Sequence, residues 1–371
     1  MADVTDPAFR RIVTKYSKYG GQDIGDGSRE NLPDEAFRVG GPHVLWTEFV
    51  SADGLCHPSG REALIKDLAF TEAERPIVAQ LFSSNVENMR SAAKLCAEMG
   101  FDGIDINMGC PDRTIEKQGC GAAMIKTPDI AAQIIQAAKD GIADAGKEIP
   151  LSVKTRIGYY KNEMETWLPF LLRQNIAALT VHLRTRKELS SVPANWNLMS
   201  RIVEIRNEVA PDTVLLGNGD VTDIRDANKK ALDSGCDGIM IGRAIFGNPW
   251  LFAPTPSTRG GLGVSQGIVS LCSLKNLFHS FFFRLGLIKK DRYWLRHQSS
   301  VSLPEKLRVM VEHAQLFEQL LPHKNFAVMK KHFKAYVNGF SGAKELRMQL
   351  METSSAGEVS HIIAGFLKTF T

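Results

Sequence analysis

Short apolar runs recur over about the first 250 positions of the chain, and longer stretches with the apolar spacing of an amphipathic helix separate them. The runs are rich in Val, Ile and Leu and contain few polar residues, as in strands that are buried on both faces of a parallel sheet. They predict seven parallel strands, at 44–50, 76–82, 103–109, 150–158, 178–184, 213–221 and 238–246.

Amphipathic helices are predicted between these strands, at 85–99, 128–145, 197–209 and 223–234. An earlier helix is expected at 7–16, with Asp6 as its N-cap and Pro7 at its first helical position. Alternation of strand and helix favours an α/β fold, and a closed barrel of this kind needs eight strands. We therefore expect a (β/α)8 TIM barrel over 1–254 whose first strand is missing.

The pattern changes after residue 252. Residues 254–267 are rich in Pro, Ser, Thr and Gly, and a basic, Phe-rich stretch without clear periodicity continues to about residue 300. Because loops of this length are uncommon inside compact domains, we interpret 255–300 as an atypical insertion or linker. Four further helical segments predict a C-terminal helical domain over 301–371; they lie at 304–321, 326–338, 343–350 and 357–369.

The charge of the chain is unevenly distributed. The net charge is +4, but residues 255–300 hold seven Lys or Arg and a single Asp, which leaves the rest of the chain at −2. Overall charge is therefore no argument for nucleic-acid binding, and an RNA-binding surface must be a local patch.

The cysteines and the hydropathy exclude several classes of protein. The six cysteines form no C-x-x-C pair and no His cluster accompanies them, which argues against a zinc site and a disulfide framework. No secretory signal opens the chain, and the most apolar stretch, 277–288, is too short to span a bilayer. We expect a cytoplasmic protein without a metal or a membrane association.

Polar residues stand at the carboxyl end of nearly every predicted strand, where βα barrels carry their catalytic groups. Together they indicate a polar ligand in the mouth of the barrel. They are Glu48, Gln80, Asn107 with Cys110, Lys154 with Arg156, His182 with Arg184, Asn218-Gly219-Asp220, and Gly242-Arg243.

Three of these residues can carry chemistry. Cys110 lies in a tight turn that would expose its thiol as a proton donor or nucleophile, although a small buried hydrophobe is the alternative. Lys154 can be a Schiff-base amine, or a cation facing an anionic ring or a phosphate. His182 can hydrogen-bond a cofactor carbonyl or be a satisfied core histidine. Cys120, in the loop after Cys110, is interpreted as a thiol without a role.

The ends of the last two predicted strands have the composition of a phosphate site. Glycines at 217 and 219 and, about 22 residues later, Gly242-Arg243 stand where barrels commonly bind phosphate. Glycine lets the backbone approach an anion closely, and an arginine adds a charge-assisted contact. Combined with a ring-sized mouth, this site suggests FMN. No strand leads into G-x-G-x-x-G, which excludes a Rossmann site.

Five motifs, in this order and at this spacing, resemble those of the tRNA-dihydrouridine synthases. The resemblance covers 1–254, and residues 329–342 are similar to the helical tRNA-binding domain of that family; the segments 20–42 and 255–300 fall outside it. The motifs are INMGCP at 106–111, VKTRIG at 153–158, TVH at 180–182 with RTR at 184–186, GNGD at 217–220 and GRA at 242–244.

The resemblance implies an FMN-dependent oxidoreductase that reduces the C5–C6 bond of specific uridines in tRNA with hydride derived from NADPH. Cys110 would protonate C5 of the uracil, and Asn107 would hold the base. The isoalloxazine ring would contact Gln80, Lys154 and His182. The site of the FMN phosphate would comprise Asn218, Gly219, Asp220, Gly242 and Arg243.

The resemblance also implies contacts outside the mouth. Arg184, Lys330 and Lys331 would bind the substrate tRNA, and His332 and Lys334, on the same helix as the two lysines, would be able to contact tRNA phosphates with them. Met1 and Ala2 stand where the family has a Pro-Met-Ala that lines the flavin, but without the strand that precedes it, so we expect weakened FMN retention.

Three other functions remain open at this level. A flavin barrel similar to dihydroorotate dehydrogenase would act on a free pyrimidine and would not need the helical domain. A tRNA-binding homologue would have lost catalysis together with its first strand. A Schiff-base aldolase would use Lys154 but would not need the motif around Cys110. No protein partner is indicated.

Overall fold

The fold is known from a computed structural model that describes residues 4–32, 40–41, 44–253 and 301–368. Within these ranges, seven parallel strands form one sheet in which every strand pairs with the next along the chain. The sheet curls as the wall of a TIM barrel, so the predicted fold class is confirmed. The strands are β1 Leu45–Ser51, β2 Ile77–Phe82, β3 Gly103–Met108, β4 Leu151–Arg156, β5 Ala178–His182, β6 Val214–Asn218 and β7 Gly238–Met240.

One helix, Pro7–Val13, precedes the sheet, and further helices connect its strands. The predicted N-cap is confirmed, because the Asp6 Oδ1 accepts a hydrogen bond of 2.9 Å from the Phe9 N. These helices are α1 Pro7–Val13, α2 Ala52–Cys56, α3 Pro58–Asp67, α4 Val86–Glu98, α5 Arg113–Lys117, α6 Pro128–Asp144, α7 Met164–Leu172, α8 Met199–Val209 and α9 Ile224–Ser234.

Some element boundaries differ from the sequence prediction. The last strand was expected to reach residue 246, but β7 ends at Met240 and the chain continues into a 3-10 turn at Arg243–Ile245. The first helix was expected to reach residue 16, but its α-helical part ends at Val13 and a π-helical turn follows at Thr14–Lys18. Residues 241–246 stay mainly apolar after β7 ends, and the π-helical turn continues the helical backbone after Val13, so the hydropathy pattern reveals neither change.

The register of the sheet brings the candidate residues to one edge. Lys154 pairs with Asn107 of β3 on one side and with Thr180 of β5 on the other. His182 pairs with Arg156 and with Asn218. Because all strands run in the same direction, their carboxyl ends form a single mouth.

A second group of helices follows the barrel, and a second hydrophobic core holds it together. This core also contains Ala8 and Ile12, so α1 packs against the C-terminal helices. No helix in the described ranges is long and apolar enough to cross a bilayer. The C-terminal helices are α10 Leu303–Leu320, α11 Met329–Tyr336, α12 Ala343–Met351 and α13 Ala356–Lys368.

Several sequence predictions lie outside the described residues. They concern Met1 and Ala2 as flavin contacts, the boundary at 254, and the whole of the segment 255–300. The division of the chain into domains at these positions therefore stays a prediction.

Candidate active site

The turn that carries Cys110 is fixed by the side chain of Asn107 at the end of β3. The Asn107 Oδ1 accepts hydrogen bonds from the Gly109 N at 3.1 Å and from the Cys110 N at 2.9 Å. Cys110 is half-buried, and burial is the main cause that raises the pKa of its thiol. The thiol is therefore protonated near neutral pH and can serve as a proton donor.

The following loop closes over the Cys110 backbone. The Ala122 N donates a hydrogen bond of 2.9 Å to the Cys110 carbonyl. Gly121 has a φ of +60°, and a Cβ at this position would lie 2.6 Å from the Cys110 carbonyl oxygen. Cys120 is fully buried, so its thiol lies in the core of this loop rather than in the mouth.

A chain of hydrogen bonds leads from a buried carboxylate to Asn107. Asp105 accepts from the Ser152 Oγ at 2.6 Å and from the Gln80 Nε2 at 2.7 Å. The Gln80 Oε1 then accepts from the Asn107 Nδ2 at 3.2 Å. Because the Asn107 oxygen already accepts two backbone N–H groups, an amide N–H is the group that Asn107 has left for a ligand.

Sequence reasoning did not single out Asp105. It is fully buried, and burial raises its pKa to about 6, against the lowering effect of its hydrogen bonds to Ser152 and Gln80. The signal was present in the run of β3, because residues two positions apart in a strand point to the same face. Asp105 and Asn107 therefore share the inward face of the barrel.

Lys154 and His182 bring two donors to the same mouth. Burial, reinforced by the charge of Arg156, lowers the pKa of Lys154 to about 8. Burial, together with the charges of Lys154 and Arg156, lowers the pKa of His182 to about 2, so its imidazole is neutral. The His182 Nε2 lies 3.1 Å from the Arg184 Nη1. A guanidinium can only donate, so Nε2 is the acceptor and Nδ1 carries the proton.

The end of β6 requires a glycine. Gly219 has a φ of +124°, and a Cβ there would lie 2.7 Å from the Ala194 Cβ and 3.1 Å from the His182 Cδ2. Its carbonyl accepts a hydrogen bond of 2.8 Å from the Trp196 indole. The Asn218 Nδ2 donates to the Met240 carbonyl at 2.8 Å and so joins the ends of β6 and β7.

Asp220 organises the cations at this end of the sheet. Its carboxylate accepts hydrogen bonds from Arg184, from the Ala194 N at 2.8 Å and from the Arg243 Nη2 at 2.7 Å. These contacts, led by that of Arg184, lower the pKa of Asp220 to about 2. Arg184 is only 2% exposed, whereas the side chain of Arg243 is 66% exposed. Arg243 is therefore the cation of this group that an anionic ligand can reach.

The C-terminal helices carry the predicted RNA-binding lysines. Lys330 and Lys331 are partly exposed on α11, and Lys334 is exposed. The expectation for His332 was wrong, because this side chain is fully buried, 4.6 Å from the ring centre of His313 and 5.5 Å from that of Phe9. It shares the buried face of α11 with apolar neighbours and cannot contact a phosphate.

Lys324, which sequence reasoning missed, links the C-terminal helices to the barrel. It follows α10, and its Nζ lies 2.7 Å from the Glu48 Oε2 of β1 and 3.0 Å from the Asp67 Oδ1 of α3. The side chain of Glu48 is 5% exposed. In the part of the chain that the structure describes, no cluster of three or more His, Cys, Asp or Glu side chains is arranged to hold a metal ion.

Comparison with known proteins agrees with these motifs. The family described as Dihydrouridine synthase (Dus) matches residues 1–262. The chain belongs to the dihydrouridine synthase family. This confirms the resemblance seen in the sequence and makes the chain a member of an oxidoreductase family.

Curated members of the dihydrouridine synthase family match this chain over its length. It is 37% identical over 371 residues to the probable tRNA-dihydrouridine synthase 2 of Bacillus subtilis (strain 168), covering 100% of this chain and 93% of that protein. It is 36% identical over 369 residues to the probable tRNA-dihydrouridine synthase of Staphylococcus aureus (strain COL), covering 99% and 91%. A solved structure of DHODH from Eimeria tenella, in complex with ferulenol, has a TM-score of 0.35 at 13% identity over 46% of this chain and 53% of that chain, too low to carry an argument.

Proposed function

We propose that this chain is an FMN-dependent tRNA-dihydrouridine synthase, which reduces the C5–C6 bond of specific uridines in tRNA with hydride derived from NADPH. The observation that carries the proposal is a protonated thiol, Cys110, at the same end of the sheet as two ring-binding donors, Lys154 and His182. The names of the curated relatives support tRNA as the substrate. We propose the cytoplasm as the place of action.

The residues of the mouth fit FMN. The Lys154 ammonium and the Nδ1–H of the neutral His182 are donors at this end of the sheet, so both can bind the polar edge of an isoalloxazine ring. Gln80 stays a proposed flavin contact; it lies on β2, on the other side of Asn107 from Lys154 and His182. The phosphate would be held by Arg243 and by the backbone at Asn218, Gly219 and Gly242, where glycine permits close approach. Asp220 would orient Arg243 rather than meet the phosphate, and Met1 and Ala2 stay proposed flavin contacts.

The chain's own residues supply the proton and the orientation. FMN, when bound and reduced by NADPH, would supply the hydride that adds to C6 of the uracil. Cys110 donates its proton to C5, and its raised pKa keeps that proton on sulfur until C5 becomes basic. Lys154 and Arg156 oppose the rise in that pKa, so their charges stabilise the thiolate that remains. Asn107 donates its free N–H to a carbonyl oxygen of the uracil.

The remaining predicted contacts concern the tRNA. We propose that the region 301–371 binds tRNA through a surface that includes Lys330, Lys331 and Lys334. Arg184 was assigned to the substrate from its motif. Since it is buried and bound to Asp220 and His182, we propose that it acts on the substrate indirectly, by positioning these two residues.

The first experiment measures reduction of the bound flavin and then modification of the tRNA. The purified chain is reconstituted with FMN, and its visible absorbance is recorded under anaerobic conditions before and after NADPH. The holoenzyme is then incubated with unmodified tRNA, and nucleosides are examined by mass spectrometry for the gain of two hydrogens. We expect bleaching of the flavin band and dihydrouridine. Bleaching without dihydrouridine would favour an enzyme of free pyrimidines, and tRNA binding without flavin would favour a non-catalytic homologue.

Asp105→Asn is expected to slow dihydrouridine formation about tenfold while FMN remains bound, because a hydrogen bond to a charged group contributes roughly 1.5–3 kcal/mol. An amide at this position can accept or donate, so Gln80 and Asn107 would no longer be held in one orientation. The rate is measured in a single turnover of pre-reduced enzyme. Ser152→Ala is the matched control and should have a smaller effect, since it leaves the bond between Asp105 and Gln80 in place. An unchanged rate in Asp105→Asn would argue against the chain of hydrogen bonds.

FMN affinity is expected to weaken as the pH rises through about 8. Lys154 has a lowered pKa of about 8, so its ammonium is charged below this pH and becomes neutral above it. Loss of a charge-assisted hydrogen bond should raise the Kd of FMN roughly three- to tenfold. Titration of the apoprotein by flavin fluorescence between neutral and alkaline pH measures this step. Lys154→Met should bind FMN weakly at all pH values, without a change in Kd near pH 8. If the Kd of this variant still rises near pH 8, the change belongs to the titration of another group.

A further inference from the structure

A groove lies beside the candidate active site, at the same carboxyl end of the sheet. It runs between the loop that follows β4 and the loop that follows β5, and it encloses about 480 Å³. Ile157, Tyr160 and Lys161 line it from the first loop, and Lys187 and Glu188 from the second. This volume is within the range of sites for small ligands. The reaction described above makes no use of the groove.

The two loops are fixed to each other by backbone contacts. The Arg186 N donates to the Gly158 carbonyl at 2.9 Å, and the Lys187 N donates to the Tyr159 carbonyl at 2.9 Å. Within the first loop, the Tyr159 N donates to the Glu163 Oε2 at 2.7 Å. The groove is therefore a preformed surface, and a ligand would not have to order it.

One arginine connects this groove to the Cys110 turn. The Arg156 Nε donates to the Gly109 carbonyl at 2.7 Å, directly before Cys110. Its Nη1 donates to the carbonyls of Thr185 at 3.1 Å and Leu189 at 3.3 Å, in the loop after β5. A single buried guanidinium thus holds both the turn with the proton donor and one wall of the groove, so the two sites are immediate neighbours.

The chemistry of the groove is that of a stacking platform with cations. The Tyr160 side chain is 68% exposed, and its ring packs edge-on against Tyr159, with ring centres 4.6 Å apart. Lys161 of the first loop and Lys187 of the second loop are exposed. Glu188 is the carboxylate of the groove, and its Oε2 already accepts from the Thr185 N at 2.7 Å and the Thr185 Oγ1 at 3.0 Å. An exposed aromatic ring flanked by cations is how proteins bind unpaired nucleotides.

We propose that this groove binds a nucleotide of the tRNA strand next to the target uridine, with Tyr160 stacking on its base and Lys161 and Lys187 contacting its phosphates. The inference rests on the proposed function, because it requires an RNA substrate. A uridine must leave its stack to reach the half-buried proton donor in the mouth of the barrel, and its neighbour then loses a stacking partner. The ring of Tyr160 replaces that partner and so holds the strand open beside Cys110.

The test measures binding of labelled, unmodified tRNA to the holoenzyme by fluorescence anisotropy. Tyr160→Ala is expected to raise the Kd at least about fivefold, the lower limit of base stacking on an aromatic ring, whereas Tyr160→Phe keeps the ring and the affinity. Lys161→Gln should lower the slope of log Kd against log salt concentration by about 0.7, the value for one phosphate contact on a single strand. Leu232→Ala is the matched control, because this side chain is 71% exposed on α9.

The outcomes separate this inference from the proposed function. Equal affinity of Tyr160→Ala and the parent enzyme overturns the groove as an RNA site, and so does a parent enzyme that does not bind tRNA. If the affinity for tRNA depends on Tyr160 but the nucleoside analysis finds no dihydrouridine, the result supports the groove as an RNA site and contradicts the proposed reductase activity. Flavin reduction by NADPH in the absence of tRNA should be the same in all four variants.

Discussion

Cys110→Ala is expected to slow dihydrouridine formation about 100- to 10,000-fold, the range over which a positioned general acid contributes to a rate. FMN and tRNA should bind as in the parent enzyme, because the Cys110 contacts that shape the turn are made by its backbone. The substitution removes the proton and little else. The rate is measured in a single turnover, with reduced enzyme mixed anaerobically with tRNA and flavin reoxidation followed by absorbance.

A second cysteine provides the control for Cys110. Cys120→Ala removes a thiol ten positions along the chain that is fully buried in the neighbouring loop. It should leave the rate per bound flavin unchanged, even if the protein becomes less stable. Turnover at the parent rate in Cys110→Ala would remove the thiol from the reaction, and a water molecule or another side chain would then have to supply the proton.

Gly219→Ala is expected to weaken FMN binding about 30-fold or more. The backbone at a φ of +124° strains any residue with a Cβ, and that Cβ would lie 2.7 Å from Ala194 and 3.1 Å from His182. Backbone strain and overpacking each cost roughly 1–3 kcal/mol, and here both fall on the residues that would bind the ring and the phosphate. The Kd of FMN is measured by quenching of flavin fluorescence on titration with apoprotein.

Another left-handed glycine separates the two causes of the Gly219 effect. Gly146 has a φ of +64°, and a Cβ there would meet no atom within 4 Å. Gly146→Ala should therefore lower the thermal stability of the protein through strain alone and leave the Kd of FMN unchanged. If Gly219→Ala also bound FMN normally at an unchanged melting temperature, the end of β6 would not be the flavin site.

Strands such as β2 and β3 could be predicted from the sequence because they are buried at every position and read as mainly apolar runs. Helix α3 could not, because it buries none of its residues and therefore has no apolar period. The end of β7 was misjudged for the opposite reason, since the apolar residues continue into the 3-10 turn at Arg243–Ile245.

The main residues of the site could be predicted from the sequence, but the hydrogen bonds between them could not. Position at the carboxyl ends of the strands indicated Cys110, Lys154 and His182. The hydrogen bonds from Asp105 through Gln80 to Asn107 depend on side-chain geometry across two neighbouring strands, which no local pattern contains. His332 was misread because two lysines precede it, although the spacing to Met329 and Tyr336 places it on their buried face.

The packing of α1 determines which segments of this protein could be exchanged with those of a relative as one unit. Ala8 and Ile12 lie in the core of the C-terminal helices, and the Lys15 Nζ binds the Glu312 Oε1 of α10 at 2.7 Å. A chimaera that exchanged only 301–368 with a relative would leave these side chains against a foreign surface. The unit that recombination can transfer is therefore discontinuous. This unit consists of α1 and the C-terminal helices. The strands of the sheet, which lie between them in the sequence, form a separate unit.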